Sequence, residues 1–474
     1  MNSCGSSIFK FFSIVLLFFS GFSTLAQSID TLKQRLCVNQ IILEGNKITR
    51  DRIIYREITF HKGDSLSEHE LRNKCLRWQQ NLMNTSLYVF DTVYFRIDTL
   101  TKNAQVRVSV KERWYIWPGL IFQVQDRNFN SWWQTKDYSR INYGANLIVY
   151  NLFGLNQTLV ASVQKGYTNH FGISYQIPYL DRKQRFGLRA NLNFYQNNQL
   201  WYATQQNELQ YYGNTQQFAR TEQSGMIGIT HRHGLYLQQG LDFYYNRAAI
   251  LDTVVKLNNN YFAPGQTAIQ YLSLQYHFRY AYRDYKPYPT KGYDIEAYVS
   301  KDGFNVLKNE TPNNLAAFVS FKNYYKIFKR TFFMYALKGR YLFQYNPMYY
   351  FNKALGYGEL VRGYEYYVID GQNFGLLKAN VRYQIMKPHV VRLPIHILKK
   401  FSTISYTLYG GPFVDLGYVQ DQYFYKTNPL ANQWLGGAGL GLDLVTYYDL
   451  VVRAEVTMNR MQQTGIFLHL NAPL

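Results

Sequence analysis

Outside its first thirty residues the sequence has no long apolar run. Each helix of a membrane bundle needs about 20 consecutive apolar residues. With 47% hydrophobic residues and a mean hydropathy of −0.31, this chain has no set of them. Acidic side chains are scarce beside basic ones, 30 against 51, so the 474 residues carry a formal charge of +21. Cysteine is nearly absent: the three are Cys4, Cys37 and Cys75. There is no CxxC, no metal-spaced histidine cluster, no GxSxG and no phosphate-cradling glycine loop. Catalysis, a cofactor and a metal therefore have no foothold, and the expectation is a protein that is not an enzyme.

The single apolar run lies at the start. Lys10 precedes Phe11–Phe19, and Thr24-Leu25-Ala26 follows. A charged segment, a short apolar core and a small-residue site predict a secretory signal over residues 1–26. Cys4 would leave with it, and Cys37 and Cys75 would enter an oxidising compartment. Cys75 falls on the helically spaced stripe Leu71, Cys75, Trp78, Leu82, which makes it a buried core thiol. A Cys37–Cys75 bridge would need a Cα separation that the sequence does not supply.

Aromatic residues are abundant, 45 Tyr and 32 Phe, 18% of the chain with Trp. Outer-membrane barrels place such residues in girdles at both interfaces. In a secreted chain the basic excess suits lipopolysaccharide phosphates and acidic clients, not nucleic acid, and it equally suits a solvated basic lumen.

Two regions differ in periodicity. Residues 27–36 read as a linker, and 37–113 as a small α+β domain. Its elements are a strand through Val38–Leu43, a turn at Glu44-Gly45-Asn46, a helix from Thr49 to about Phe60, a second from Ser67 to near Thr85, then strands Tyr88–Ile97 and Gln105–Lys111. From residue 114 to 474 the pattern has period two. Ile141, Tyr143, Ala145, Leu147 and Val149 alternate with Asn142, Gly144 and Asn146, and Val452, Ala454, Val456 and Met458 alternate with Arg453, Glu455 and Thr457. Short turns at Asn151–Gly154, Tyr179–Gln184, His231–Gly234, Tyr285–Gly292, Phe328–Arg330 and Thr446–Asp449, with a basic link over 387–400, interleave with eight longer polar loops. Seven short links and eight long loops predict sixteen strands, apolar outside and polar within. The fold class expected is mainly β: a 16-stranded transmembrane β-barrel preceded by one small α+β domain.

Particular residues carry a family resemblance. Ile42-Leu43-Glu44-Gly45-Asn46 with Thr49 and Arg56-Glu57-Ile58, then Leu87-Tyr88, Val93 and Val106–Glu112, resemble a POTRA domain. Val361-Arg362-Gly363-Tyr364 in the sixth long loop, and Phe413-Val414-Asp415-Leu416-Gly417 on the thirteenth strand, resemble the VRGY tip and F-x-D-x-G motif of the BamA/TamA superfamily, the bacterial surface antigen family. The resemblance implies that the sixth loop folds into the lumen, where Arg362 meets Asp415. Strand parity turns Phe413, Asp415 and Gly417 inward, and Asp443 on the next strand is a rival acid. Gly363 would let the tip turn tightly. The resemblance further implies a lateral seam between the first strand, weakened at Pro118 and Gly119, and the last, which carries Phe467 and Leu468.

The function expected is an accessory outer-membrane assembly or translocation factor. Its POTRA domain would lie in the periplasm, and the POTRA edge and barrel seam would bind unfolded or extended client proteins. Lipid, lipopolysaccharide and a periplasmic or inner-membrane assembly protein are the other partners expected. The family's essential assembly subunit carries several POTRA domains, whereas this chain has one, and its end Phe467–Leu474 lacks the usual terminal aromatic. The alternative is a porin-like diffusion channel, which needs neither a POTRA domain nor an inward VRGY loop. His231 and His233 flank a short turn without a serine or metal partner and read as solvated, not catalytic.

Overall fold

The computed structural model describes residues 35–124, 136, 140–214, 216–308, 310–392, 403–446 and 449–470. The expected signal, most of the linker, much of the 387–400 link and the tail Asn471–Leu474 lie outside these residues.

The N-terminal unit contains β1 (Arg35–Glu44), α1 (Asp51–Tyr55), β2 (Ser65–Ser67), α2 (Glu68–Asn84), β3 (Tyr88–Asp98) and β4 (Asn103–Glu112). Its sheet runs β2-β1-β4-β3. β1 lies parallel to β4, and β3 antiparallel to it. Among the described residues β3 has no strand on its other side, so it is a free edge eleven residues long.

Ser67 starts α2 with a reciprocal capping box: its side chain accepts from the Glu70 backbone while Glu70 reaches back to the Ser67 N–H. The stripe Leu71, Cys75, Trp78, Leu82 is buried, and Trp78 meets Phe60 edge to face at 5.6 Å. This core desolvates the Cys75 thiol and pushes its pKa up to about 12, while Cys37 stays exposed, and both are free.

The first helix stops at Tyr55, short of the expected Phe60. Tertiary demands end it. The Glu57 carbonyl accepts from Asn81 Nδ2 at 3.1 Å, and the Glu57 carboxylate is drawn off to Arg232. The short β2 was not foreseen; among the described residues it pairs with Arg35–Cys37.

The barrel strands are β5 (Ile116–Val124), β6 (Ile141–Leu152), β7 (Gln157–Gly166), β8 (Thr168–Ile177) and β9 (Phe186–Asn197). A separate two-stranded hairpin, β10 (Gln199–Gln205) and β11 (Glu208–Gly213), occupies one of the longer polar loops, between β9 and the next barrel strand. The barrel resumes with β12 (Arg220–His233), β13 (Leu237–Ile250), β14 (Ala268–Arg283), β15 (Gly292–Asp302), β16 (Asn314–Phe328) and β17 (Thr331–Gln344). It finishes with β18 (Asn373–Arg392), β19 (Thr403–Gln420), β20 (Trp434–Val445), β21 (Val451–Asn459) and β22 (Thr464–Leu470). These sixteen strands form one sheet in simple up-and-down order, the number expected from turn spacing.

Burial along the strands is inverted relative to a soluble protein. Leu120, Ile227, Leu440, Val456 and Ile466 are exposed, while Asn142, Asp242, Asp294, Asp415, Asp443, Arg453 and Glu455 are buried. Apolar side chains therefore face outward to lipid and ionic ones fill the interior.

The N-terminal unit is seated on the short turns at one end of the barrel. The Arg50 N–H donates to Gly154 O at 3.0 Å, and Thr49 Oγ1 accepts from Asn151 Nδ2 at 2.8 Å. Arg232 forks onto Glu57 at 2.6 and 2.8 Å, and Arg113 onto Asp449 at 2.7 and 3.0 Å. The Arg77 guanidinium lies 3.6 Å above the Tyr282 ring. Two-point guanidinium–carboxylate pairs are geometrically demanding, so these contacts fix orientation as well as position.

On β3, Asp91 shares the core-facing parity of Val93 and Phe95, beneath α2. Desolvation there raises its pKa from 3.8 to about 7. A carboxyl whose folded-state pKa is raised favours folding in its protonated form. Its contribution is complete below about pH 3.8 and is lost as pH rises through about 7. Residues 28–113, secreted alone, should melt cooperatively, and Asp91→Asn should remove part of the loss of stability between pH 4 and 8, on the order of a few kcal/mol. Parallel thermal melts across that range check this; identical pH profiles for the two proteins would refute it.

Candidate functional site

The segment between β17 and β18, residues 345–372, returns into the barrel. Leu355 bridges both Glu359 and Ile369, which folds the segment into a compact tongue. Val361, Tyr364, Leu355 and Ile369 cluster with Phe374, Leu376, Val419 and Leu435 of β18–β20. Apolar burial thus draws the tip inward, and its one cation must be answered where it lands.

Arg362 is that cation, with 4% of its side chain exposed. Its Nε donates to Asp415 Oδ2 at 2.9 Å, Nη2 donates to Asp415 Oδ1, and its own backbone N–H donates to Asp415 Oδ2 at 3.0 Å. Nη1 donates to Asn380 Oδ1 at 2.8 Å and reaches Glu455 Oε1 at 3.3 Å. The guanidinium plane lies 3.7 Å from the centre of the Phe413 ring, a cation–π contact. Lys378 stands 3.8 Å from the same Asp415.

Each member of the F-x-D-x-G motif has a physical task here. Phe413 stacks on the guanidinium, Asp415 takes the fork, and Gly417 leaves space for Val361, since a Cβ on Gly417 would lie 2.5 Å from Val361 Cγ2. Gly363 turns the tip with φ of +91°, and its carbonyl accepts from Asn459 Nδ2 at 2.9 Å. Tyr364 is 2% exposed.

The rival acid Asp443 is engaged elsewhere. It takes the fork of Arg453 at 2.5 and 2.9 Å, a contact from Arg382 at 3.2 Å, and the Tyr288 hydroxyl at 2.6 Å.

Several contributors were not singled out from sequence. A Cβ on Gly437 of β20 would lie 1.8 Å from the Arg362 carbonyl oxygen, so backbone meets backbone there. Asn380, Glu455 and Asn459 also bind the tip. Glu455 had a usable signal, as an inward-parity charge beside Arg453.

Of the seam residues, Pro118 and Gly119 lie on the first barrel strand, and Phe467 and Leu468 on the last, beside the tongue. Pro118 and Gly119 pair with Leu147 and Asn146 of β6, and Phe467 and Leu468 with Glu455 and Ala454 of β21. Phe467 is buried and its ring is 5.2 Å from that of Tyr366, so the tongue touches the last strand. Among the described residues no register joins β22 to β5. His231 and His233 lie on the last residues of β12, paired with Gln239 and Leu237 of β13, with ring centres 6.3 Å apart.

The model of the Omp85 superfamily domain matches residues 151–446, more than half of the chain. No curated protein sequence matches it. Among solved structures, BamA from Haemophilus ducreyi lacking POTRA domains 1–3 is similar at 15% identity with a TM-score of 0.50, covering 92% of this chain and 83% of that one. CdiB from Escherichia coli is similar at 11% identity with a TM-score of 0.54, covering 92% and 76%. At these identities the likeness is one of fold.

Arg362→Ala should leave the barrel folded and free the tongue. Removing one partner strands the buried Asp415 at a local cost of about 3–5 kcal/mol. Gly437→Ala should act in the same direction by forcing the Arg362 carbonyl away. Glu-C cleavage after Glu365, which is buried in the intact protein, should become fast in both variants. Protection equal to wild type in both would disprove the lock.

Proposed function

Because this chain belongs to the Omp85 superfamily of outer-membrane β-barrels, we propose that it is an accessory assembly or translocation factor for other proteins. Residues 37–113 act as its periplasmic client-docking domain, and residues 114–474 as its barrel. The observation that carries the reading is the free β3 edge of a unit seated on the barrel turns. An extended client can add a strand there through main-chain hydrogen bonds that demand little of its sequence. An exposed edge is otherwise a liability that proteins cover or blunt.

The locked tongue and the seam complete the proposal. Arg362, Asp415, Phe413, Gly417 and the tip residues Val361, Gly363 and Tyr364 hold the sixth loop inside. Lateral opening is assigned to the strand ends at Pro118 and Gly119 opposite Phe467 and Leu468. Unfolded clients, outer-membrane lipid with lipopolysaccharide, and a periplasmic or inner-membrane assembly protein are the partners on this reading. A diffusion channel fits less well: a tongue buried by apolar packing and a seated N-terminal unit both obstruct a solute path.

Two experiments test this. Photo-crosslinkers at Tyr94 and Arg96, exposed on β3, should capture unfolded outer-membrane or secreted chains in living cells, and capture of none would remove the docking role. A disulfide joining Leu120 or Ile121 to the residue opposite among Phe467–Leu470 should stop client handling while the barrel stays folded, and reductant should restore it. A client strand would add main-chain bonds, about 0.5–1.5 kcal/mol each in water, along the edges of β5 and β22, which share no ladder among the described residues, and a covalent tie between those edges denies it that place. Full activity in the verified oxidised form would eliminate the seam as the route.

A further inference from the structure

Glu365 on the tongue, Glu455 on β21 and His469 on β22 converge inside the barrel. His469 Nε2 lies 3.4 Å from Glu455 Oε2 and 3.8 Å from Glu365 Oε1, and the donor atoms of all three lie within 4.8 Å of one another. The two glutamate side chains are 0% and 1% exposed, and the imidazole 18%.

Two observations indicate that this is more than packing of polar residues. First, Glu455 Oε2 and His469 Nε2 are buried and face each other at 3.4 Å, a long contact, and neither has another hydrogen-bond partner among the described residues. Buried polar atoms are normally satisfied. Second, nearby cations are committed elsewhere. Arg362 gives its fork to Asp415 and Arg453 gives its fork to Asp443. From arginines among the described residues Glu455 receives single contacts at 3.3 and 3.5 Å, both on Oε1. Its Oε2 is left facing His469 with a second carboxylate close by, and two carboxylates so near resist joint ionisation unless a cation lies between them.

The spacing suits a metal ion. Ligand atoms about 2.0–2.2 Å from a tetrahedral centre stand about 3.3–3.6 Å apart, close to the two distances found. One imidazole and two carboxylates are a donor set for zinc and its first-row neighbours, whereas hard cations prefer all-oxygen cages. Sequence spacing could not reveal the set, because its members lie 90 and 14 residues apart on three separate segments.

We infer that Glu365, Glu455 and His469 bind a divalent transition-metal ion of the zinc class, which ties the docked tongue to the last two strands. The ion needs the tongue inserted and β22 paired with β21, so it favours that arrangement over any with the tongue withdrawn. This site does not depend on whether the chain handles clients.

The test uses the full chain, folded in detergent and stripped with chelator. Calorimetric titration with Zn²⁺ should show one ion bound per chain, and Co²⁺ should give the intense visible spectrum of a four-coordinate site. His469→Asn and Glu365→Gln should each weaken Zn²⁺ binding by more than the 10–100-fold that loss of an outer supporting group costs. The double variant His231→Asn/His233→Asn should bind as wild type does, and circular dichroism confirms that each variant is folded. The inference is overturned by absence of stoichiometric uptake, by uptake that survives both site substitutions, or by uptake lost with the His231/His233 pair.

Discussion

A guanidinium buried inside a barrel has to be neutralised and hydrogen-bonded from several sides at once, and the Arg362 site is organised around that demand. An isolated charge in such surroundings costs many kcal/mol, and even a paired one is retained only where every donor finds an acceptor. Here Asp415 from β19 takes the fork, Asn380 from β18 and Glu455 from β21 take the remaining nitrogen, and Phe413 covers the plane. Neighbouring strands thus meet at one side chain that belongs to none of them. Gly417 and Gly437 carry no side chain because the tongue's own atoms occupy that volume.

The same chemistry recurs at the end of the barrel where the N-terminal unit sits. Arg232–Glu57 and Arg113–Asp449 are both two-point pairs, each joining the N-terminal unit to the barrel. Seating by polar forks differs from seating by an apolar patch: it specifies one orientation and leaves little greasy surface behind when contacts part. The opposite end is closed by other means. There Leu200, Tyr261, Phe262 and Tyr349, from the β10–β11 hairpin and two further loops, form an apolar cluster of their own.

Much of this fold could be read from sequence, and the missed parts share a cause. Strand number followed from period-two patterning and from turn residues such as Asn151–Gly154, which depend on local chemistry alone. The α2 cap and its stripe were legible for the same reason. The end of α1 was not, because Glu57 serves a barrel arginine 175 residues away. The β10–β11 hairpin lay in a segment whose polarity masked its pairing. At the tongue, parity placed Asp415 inward and the motif resemblance named Arg362, but parity does not say which inward residues of different strands stand level. That depends on register across β18 to β21, so Asn380, Gly437 and Asn459 carried no visible signal. Glu455 was seen as inward and charged, without a destination.

The position of the tongue in the chain sets an order of events. The groups that hold Arg362 and Gly363, namely Asn380, Asp415, Gly437, Glu455 and Asn459, all lie later in the sequence than the tip itself. The tip therefore has no complete berth until the last strands have formed around it: a chain that stalls before β19 holds Arg362 without its Asp415 fork, and one that stalls before β21 lacks Glu455 and Asn459. The full set of contacts on the tongue tip thus requires strands that come later in the chain than the tongue itself.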